Sequence, residues 1–217
     1  SLYPQEKIYL QTDRSTYIPG DIIWFRAHLV DALLLKQANA SRYVYIELID
    51  PAEQIVQRVK LRPDSIGCFH GQVLLDEELA EGNYTLRTYT RFMQNQGEDY
   101  FFNKSVRITH PLSAGISPIV NYTMNGDKVD VEIYFQDKTE GHKITPEECI
   151  IYPDGHTKEK SKTLSFKEET ARYSFSTKGN HAPKAFQLKA VLNDRKYIGF
   201  FAIPSAEQPF HASFFPE

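Results

Sequence analysis

The chain is poor in cysteine: Cys68 and Cys149 are the only two in 217 residues. A disulfide scaffold is therefore excluded. None is needed, because a chain of this length buries roughly 70% of its unfolded surface on folding. No apolar run approaches the length of about 18 residues that a membrane-spanning helix requires. No charge of one sign dominates either, with 25 Lys and Arg mixed among 28 Asp and Glu. A phosphate backbone demands a basic stripe, so nucleic acid is not an expected partner. Helical periodicity is scarce, and the Walker loop, G-x-G-x-x-G, G-x-S-x-G and H-E-x-x-H patterns are all missing. No basic-then-apolar leader precedes Ser1. The expectation is that a secretion signal has been removed or that the chain is a fragment, and the apolar close ASFFPE favours a fragment.

Alternation of period two is abundant. Ile23, Phe25, Ala27 and Leu29 share one face of a run, as do Val44, Ile46 and Leu48. The same holds for Tyr84, Leu86 and Thr88, for Val129, Val131, Ile133 and Phe135, for Tyr173 and Phe175, and for Phe186, Leu188, Ala190 and Leu192. The 13 Tyr and 14 Phe suit such strands. One-faced alternation means a sheet buried on one side, which two packed sheets provide. Turn signals punctuate the runs: Pro19-Gly20, Asp50-Pro51, Glu81-Gly82-Asn83, Asn125-Gly126 and Pro153-Asp154-Gly155. DEELAE, residues 76–81, is expected to form a single helical turn.

The expected fold class is all-β, as two tandem fibronectin/immunoglobulin-like β-sandwiches. Residues 1–110 form the first and 118–209 the second. Residues 111–117, rich in Pro, Ser and Gly, are the linker, and 210–217 begin a further, truncated domain. A faint repeat supports tandem units: Pro51 and Tyr84 stand 33 residues apart, and so do Pro153 and Phe186. The two cysteines then fall in different units, so both are expected as buried free thiols.

Chemistry-bearing residues are sparse. His28, His70, His110, His142, His156, His181 and His211 are scattered, and none has metal-ligand spacing, so no metal and no cofactor are expected. The acidic pairs Glu77-Glu78, Glu98-Asp99, Glu147-Glu148 and Glu168-Glu169 are adjacent along the chain, whereas a glycosidase needs two carboxylates across a cleft. Between two alternating runs sits TDRSTYIPGD, residues 12–21. Every residue there has a structural job available. Pro19-Gly20 suits the centre of a type II turn. Asp13 and Ser15 are placed to accept backbone N–H bonds, and Tyr17 to lie across the corner. The second run also has an outer face carrying Trp24, Arg26 and His28, a combination that suits an interface. Another strand or the second domain would be its ordinary cover. The connections at 32–42 and 93–100 are further candidates, the apolar ALLLK for docking.

At these residues the sequence resembles the macroglobulin-type domain of the alpha-2-macroglobulin and complement superfamily. IYLQTDRSTYIPGDIIWFRAHLVD is similar to that domain's opening, with Asp13, Arg14, Tyr17, Pro19 and Gly20 matching its signature. YIELIDPAEQIVQR resembles the next hairpin and GCFHGQVLLDEELAEGNYTLRTYT the closing run. The resemblance covers roughly residues 6–109, and beyond that only the strand pattern agrees. It implies a seven-stranded sandwich. The Cys-Gly-Glu-Gln thioester run is absent, so covalent trapping is not implied. The wording IWFRAHL is similar to large bacterial envelope proteins, some of which continue into a segment resembling the plug of a TonB-dependent transporter.

The expected function is a non-enzymatic structural and interaction module of a larger secreted bacterial chain, periplasmic or outer-membrane associated. Its partners would be adjacent domains of the same chain and a protein or glycan. A glycan-binding module, a protease-inhibitor-like fragment and a hydrolase are the alternatives. Four N-x-S/T sequons, at Asn39, Asn83, Asn103 and Asn121, matter only in a eukaryotic host. Asp64-Ser65-Ile66 resembles a short bacterial O-glycosylation acceptor.

Overall fold

The computed structural model describes residues 6–32, 36, 38, 41–111, 115–155, 158–179 and 182–204. It divides into two compact units, Ser1–Thr109 and His110–Glu217. The expected truncated domain at 210–217 and most of the ALLLK connection lie outside the described residues.

The first unit opens with β1 (Glu6–Thr12), the short β2 (Thr16–Tyr17) and β3 (Ile22–Asp31). Next come β4 (Val44–Ile49), β5 (Ile55–Leu61), β6 (Phe69–Leu74), β7 (Gly82–Thr90) and β8 (Phe102–Ile108). Strands β1-β3-β6 make one sheet and β2-β8-β7-β4-β5 the other. The alternating runs decide which faces meet. Ile23, Ala27 and Leu29 of β3 are fully or almost fully buried, as are Val44, Ile46 and Leu48 of β4 and Tyr84 and Leu86 of β7. Burying each such side chain contributes about 1.5–3 kcal/mol, set against the conformational entropy lost on ordering it.

The second unit holds β9 (Ile116–Asn125), β10 (Lys128–Asp137), β11 (Lys143–Ile144), β12 (Glu148–Tyr152), β13 (Lys162–Thr163), β14 (Ala171–Ser176), β15 (Ala185–Leu192) and β16 (Arg195–Ala202). β10 is the spine of one sheet, pairing with β9, β14 and β11, and the other runs β13-β12-β15-β16. Val129, Val131, Ile133 and Phe135 of β10 face Phe186 and Leu188 of β15 in its core. The plan repeats that of the first unit. The first, second and fifth principal strands share one sheet, and the third, fourth, sixth and seventh share the other. The 33-residue spacing has a structural meaning. Pro51 follows β4 and Pro153 follows β12. Tyr84 and Phe186 are buried on β7 and β15, the strands hydrogen-bonded to β4 and β12 respectively.

Four local expectations change. Residues 76–81 form a β-turn rather than a helical turn: the Leu79 amide donates to the Asp76 carbonyl and the Glu78 amide to its carboxylate. The 93–100 connection is not a plain polar loop. Helix α1 (Arg91–Gln94) enters it, capped by the Thr90 hydroxyl, and buries Met93, and a 3-10 turn (Glu98–Tyr100) follows. β9 begins at Ile116, inside the residues expected as linker, and carries Pro118 at a sheet edge where the missing N–H costs no ladder bond. Cys68 is a free thiol, as is Cys149, but it is only half-buried.

The pair Glu168-Glu169 is a turn, not a site. Lys167 and Thr170 exchange both backbone hydrogen bonds around it, and both glutamates have left-handed φ, 48° and 62°. Residues with a Cβ adopt that region at a cost of roughly 1 kcal/mol each, and tight hairpins of this kind favour Asn-Gly. Replacing the pair as Glu168→Asn with Glu169→Gly is therefore expected to stabilise the second unit by about 1 kcal/mol, read as a higher urea midpoint with an unchanged slope.

Candidate functional site

Between β1 and β3 the chain leaves the three-stranded sheet, touches the other sheet, and returns. β2 runs parallel to the end of β8, with the Arg107 amide donating to the Ser15 carbonyl at 2.8 Å and the Thr109 amide to the Tyr17 carbonyl at 2.9 Å. Asp13 ties this excursion together. Its Oδ1 accepts from the Tyr17 hydroxyl at 2.7 Å and from the Trp24 amide at 3.0 Å, while Oδ2 faces the Arg14 guanidinium at 3.3 Å. The Tyr17 hydroxyl also accepts from the Arg14 amide at 3.1 Å. Arg14 reaches on to Asp21 at 3.2 Å. The Asp21 amide closes the Pro19-Gly20 turn on the Ile18 carbonyl, with Gly20 at φ +85° in the position where a type II turn requires a left-handed residue. Ser15 contributes its carbonyl to the corner; its hydroxyl takes no part among the described residues. Partial burial works to raise the Asp13 pKa, but the Tyr17, Trp24 and Arg14 donors outweigh it and hold the carboxyl below its usual range.

Trp24, Arg26 and His28 lie on the outer face of the three-stranded sheet. Trp24 stands opposite Gln72 of β6, Arg26 between Gln11 of β1 and His70 of β6, and His28 opposite Tyr9 of β1. Trp24 is 53% exposed and Tyr9 47%, with Leu74 at 60% further along β6. Arg26 is exposed, whereas His28 is half-buried. At this edge the His28 Nδ1 lies 3.8 Å from the Cys68 sulfur, and Asp64 holds His70 at 3.4 Å. These neighbours are 40 residues apart in sequence for His28 and Cys68, so spacing alone did not reveal them. Among the described residues no group of three or more His, Cys, Asp or Glu is arranged to hold a metal.

The opposite outer face hides a network that the strand pattern did not disclose. Glu47 of β4 has no exposed surface, yet it points away from the core. Arg58 of β5 holds its Oε1 through Nε at 2.7 Å, and Arg87 of β7 holds Oε2 at 2.7 and 2.9 Å. The Tyr89 hydroxyl donates to Oε1 at 2.8 Å, and its ring stacks on Phe101 at 4.5 Å. Burial opposes ionisation of Glu47, but the Tyr89, Arg87 and Arg58 donors prevail and lower its pKa. Burial and the carboxylate together push the Tyr89 phenol up to about 12, so it remains a donor at any ordinary pH.

Both carboxylates have depressed folded-state pKa values. Their stabilisation is therefore present above the unfolded values, about 3.9 for Asp13 and 4.3 for Glu47, and is lost as pH falls through the folded ones. Glu47→Gln is expected to cost about 2–3 kcal/mol at pH 7, less than a fully buried pair, because the 55%-exposed Arg58 regains water. The gap from wild type should start to narrow only as melting is repeated below the unfolded value of about 4.3, and close as pH falls through the depressed folded one. Asp13→Ala is expected to cost about 2–3 kcal/mol, since it leaves the Trp24 amide and Tyr17 hydroxyl without their charged acceptor. Chemical denaturation of each variant measures both losses.

The family model of the MG2 domain matches residues 7–107, which span β1 to β8 and include both the Asp13 corner and the Trp24 face. Among solved structures, a mutant Salmonella alpha-2-macroglobulin is similar over 90% of this chain and 14% of its own, with 14% identity and a TM-score of 0.42. Escherichia coli alpha-2-macroglobulin in its native conformation gives 14% identity and a TM-score of 0.42, again over 90% of this chain and 14% of its own. The Yersinia pseudotuberculosis adhesin InvE is similar over 90% of this chain and 59% of its own, with 8% identity and a TM-score of 0.37. The chain thus spans about a seventh of the length of those macroglobulins. Over residues 7–107 the chain thus carries a macroglobulin-type domain that matches the MG2 family model.

Proposed function

We propose that the chain is a non-catalytic structural and interaction module of a larger secreted bacterial envelope protein, periplasmic or outer-membrane associated, in which two sandwiches at 1–110 and 118–209 act as spacers. The observation that carries this reading is the MG2 match over residues 7–107, a kind of domain built into longer chains. The use of the corner carboxylates agrees with it. Asp13 and Asp21 accept backbone amides and ion pairs, so each is committed to holding the fold. The envelope address and a link to TonB-dependent transport rest on the IWFRAHL resemblance. Mechanically, rigid sheets hold exposed faces at a set position for neighbouring domains of the same chain.

The exposed Trp24 and Arg26 favour one further role, contact with a protein or glycan partner across the open face of the three-stranded sheet. A protease-trapping role is less well supported. It needs an extended cleavable segment, whereas residues 91–100 hold α1 and a 3-10 turn around buried Met93.

Fractionation of the source cells with an antibody to this chain tests the module reading. The expected band lies in the envelope and far above 25.0 kDa. A cytoplasmic band at that mass overturns it. The glycan role has its own probe, because Trp24 is the single tryptophan. A bound polysaccharide should shift its emission to the blue, and Arg26→Ala, which keeps the probe, should weaken binding while changing stability by less than about 0.5 kcal/mol. Unchanged emission across a polysaccharide panel removes the glycan role.

A further inference from the structure

The β5–β6 connection leaves two features unexplained by folding. Ile66 at its tip is 73% exposed, the highest value among the exposed large hydrophobic side chains of the described residues. Ser65 beside it is exposed, and its hydroxyl makes no hydrogen bond among them. The tip itself is well determined. The Gly67 amide donates to the Asp64 carbonyl at 3.1 Å, closing a turn whose two central residues are Ser65 and Ile66. The Asp64 carboxylate accepts the Ile66 and Cys68 amides, both at 2.9 Å, and its backbone amide donates to the Cys68 carbonyl at 2.8 Å. Ser65 and Ile66 are therefore displayed side by side on a pre-ordered turn, which lowers the backbone-ordering cost to an enzyme that engages them.

The structure also separates this segment from other acceptor-like patterns in the sequence. Asn83, Asn103 and Asn121, with their following Thr85, Ser105 and Thr123, are paired inside β7, β8 and β9. Their backbones are held in ladders, which an enzyme needing to seat the acceptor segment in its own cleft would have to break. Asp64-Ser65-Ile66 lies in a turn that belongs to no ladder.

We propose that Ser65 is an O-glycosylation site, with Ile66 as the apolar side chain read beside it by the transferase. The co-substrate is a sugar activated as a lipid- or nucleotide-linked phosphate ester. The Ser65 Oγ forms a bond to the anomeric carbon, the bond from that carbon to the phosphate oxygen breaks, and the hydroxyl proton passes to a base of the transferase. Nothing is oxidised or reduced. The attached sugar projects from the tip of the β5–β6 connection and covers the exposed Ile66.

The inference rests on the export reading above, and the experiment distinguishes the two. The full native chain is isolated from the envelope fraction of the cells that make it. Its mass is compared with that of the chain made in a cytoplasm lacking the transferase, and electron-transfer fragmentation locates any difference. The expected result is a carbohydrate increment on Ser65, lost in Ser65→Ala, kept in Ser65→Thr, and lost in Ile66→Asp although the hydroxyl remains. An envelope chain with no increment, or with one on another residue, overturns the Ser65 site and leaves the module reading standing. An unmodified chain confined to the cytoplasm overturns both. Retention of the sugar in Ile66→Asp overturns the reading of Ile66. The wild-type mass decides the central point without any variant.

Discussion

A strand that is apolar on one face only has to find a second sheet to cover it, and the chain must then cross between the sheets without leaving backbone groups unpaired. The corner at Asp13 meets that constraint in the first unit. The chain passes from β1 to β2 and back to β3 within a few residues, and one carboxylate gathers the tyrosine hydroxyl, a backbone amide of β3 and the neighbouring guanidinium. Side chains are used here because the two-residue β2 pairs with β8 along one edge only. Displacing Asp13 would loosen both the start of β3 and the parallel contact of β2 with β8, and so the edges of both sheets.

The same economy of polar groups separates structure from surface across the unit. Asp13, Glu47 and Asp64 are all acidic, and each is occupied. Asp13 ties the crossing, Glu47 clamps β5 and β7 onto β4 through two arginines, and Asp64 shapes the β5–β6 turn. Trp24, by contrast, is 53% exposed, and among the described residues the Ser65 hydroxyl makes no hydrogen bond. A side chain that is ordered, exposed and unneeded for packing is where an interaction argument has physical content.

Much of this was legible in the sequence. The period-two faces at Ile23–Leu29 and Val129–Phe135 are the faces that became buried, because strand geometry turns every second side chain the same way. The Pro19-Gly20 turn followed from the φ values that those two residues permit. Other features were not legible, for identifiable reasons. Glu47 occupies an outward position and so reads as solvated. Only the register that places Arg58 and Arg87 on either side of it, 11 and 40 residues away, converts it into a buried clamp. The left-handed pair Glu168-Glu169 carries no turn signature, since glutamate disfavours that conformation; the paired backbone of Lys167 and Thr170 closes around it. Helix α1 spans only Arg91–Gln94, too few residues for any period to show.

By itself, then, the sequence determined the fold class and the core faces, because these depend on local geometry and on which side chains avoid water. Tertiary structure alone decided the juxtapositions: His28 beside Cys68, Glu47 between its arginines, Trp24 left open on a sheet face, and Ser65 raised on a free turn while the three described sequons are locked in strands. The physical reason is register. Which distant residues meet is set by strand pairing across tens of residues, and a shift of one position would turn strand-borne side chains such as Glu47 and Trp24 to the opposite face.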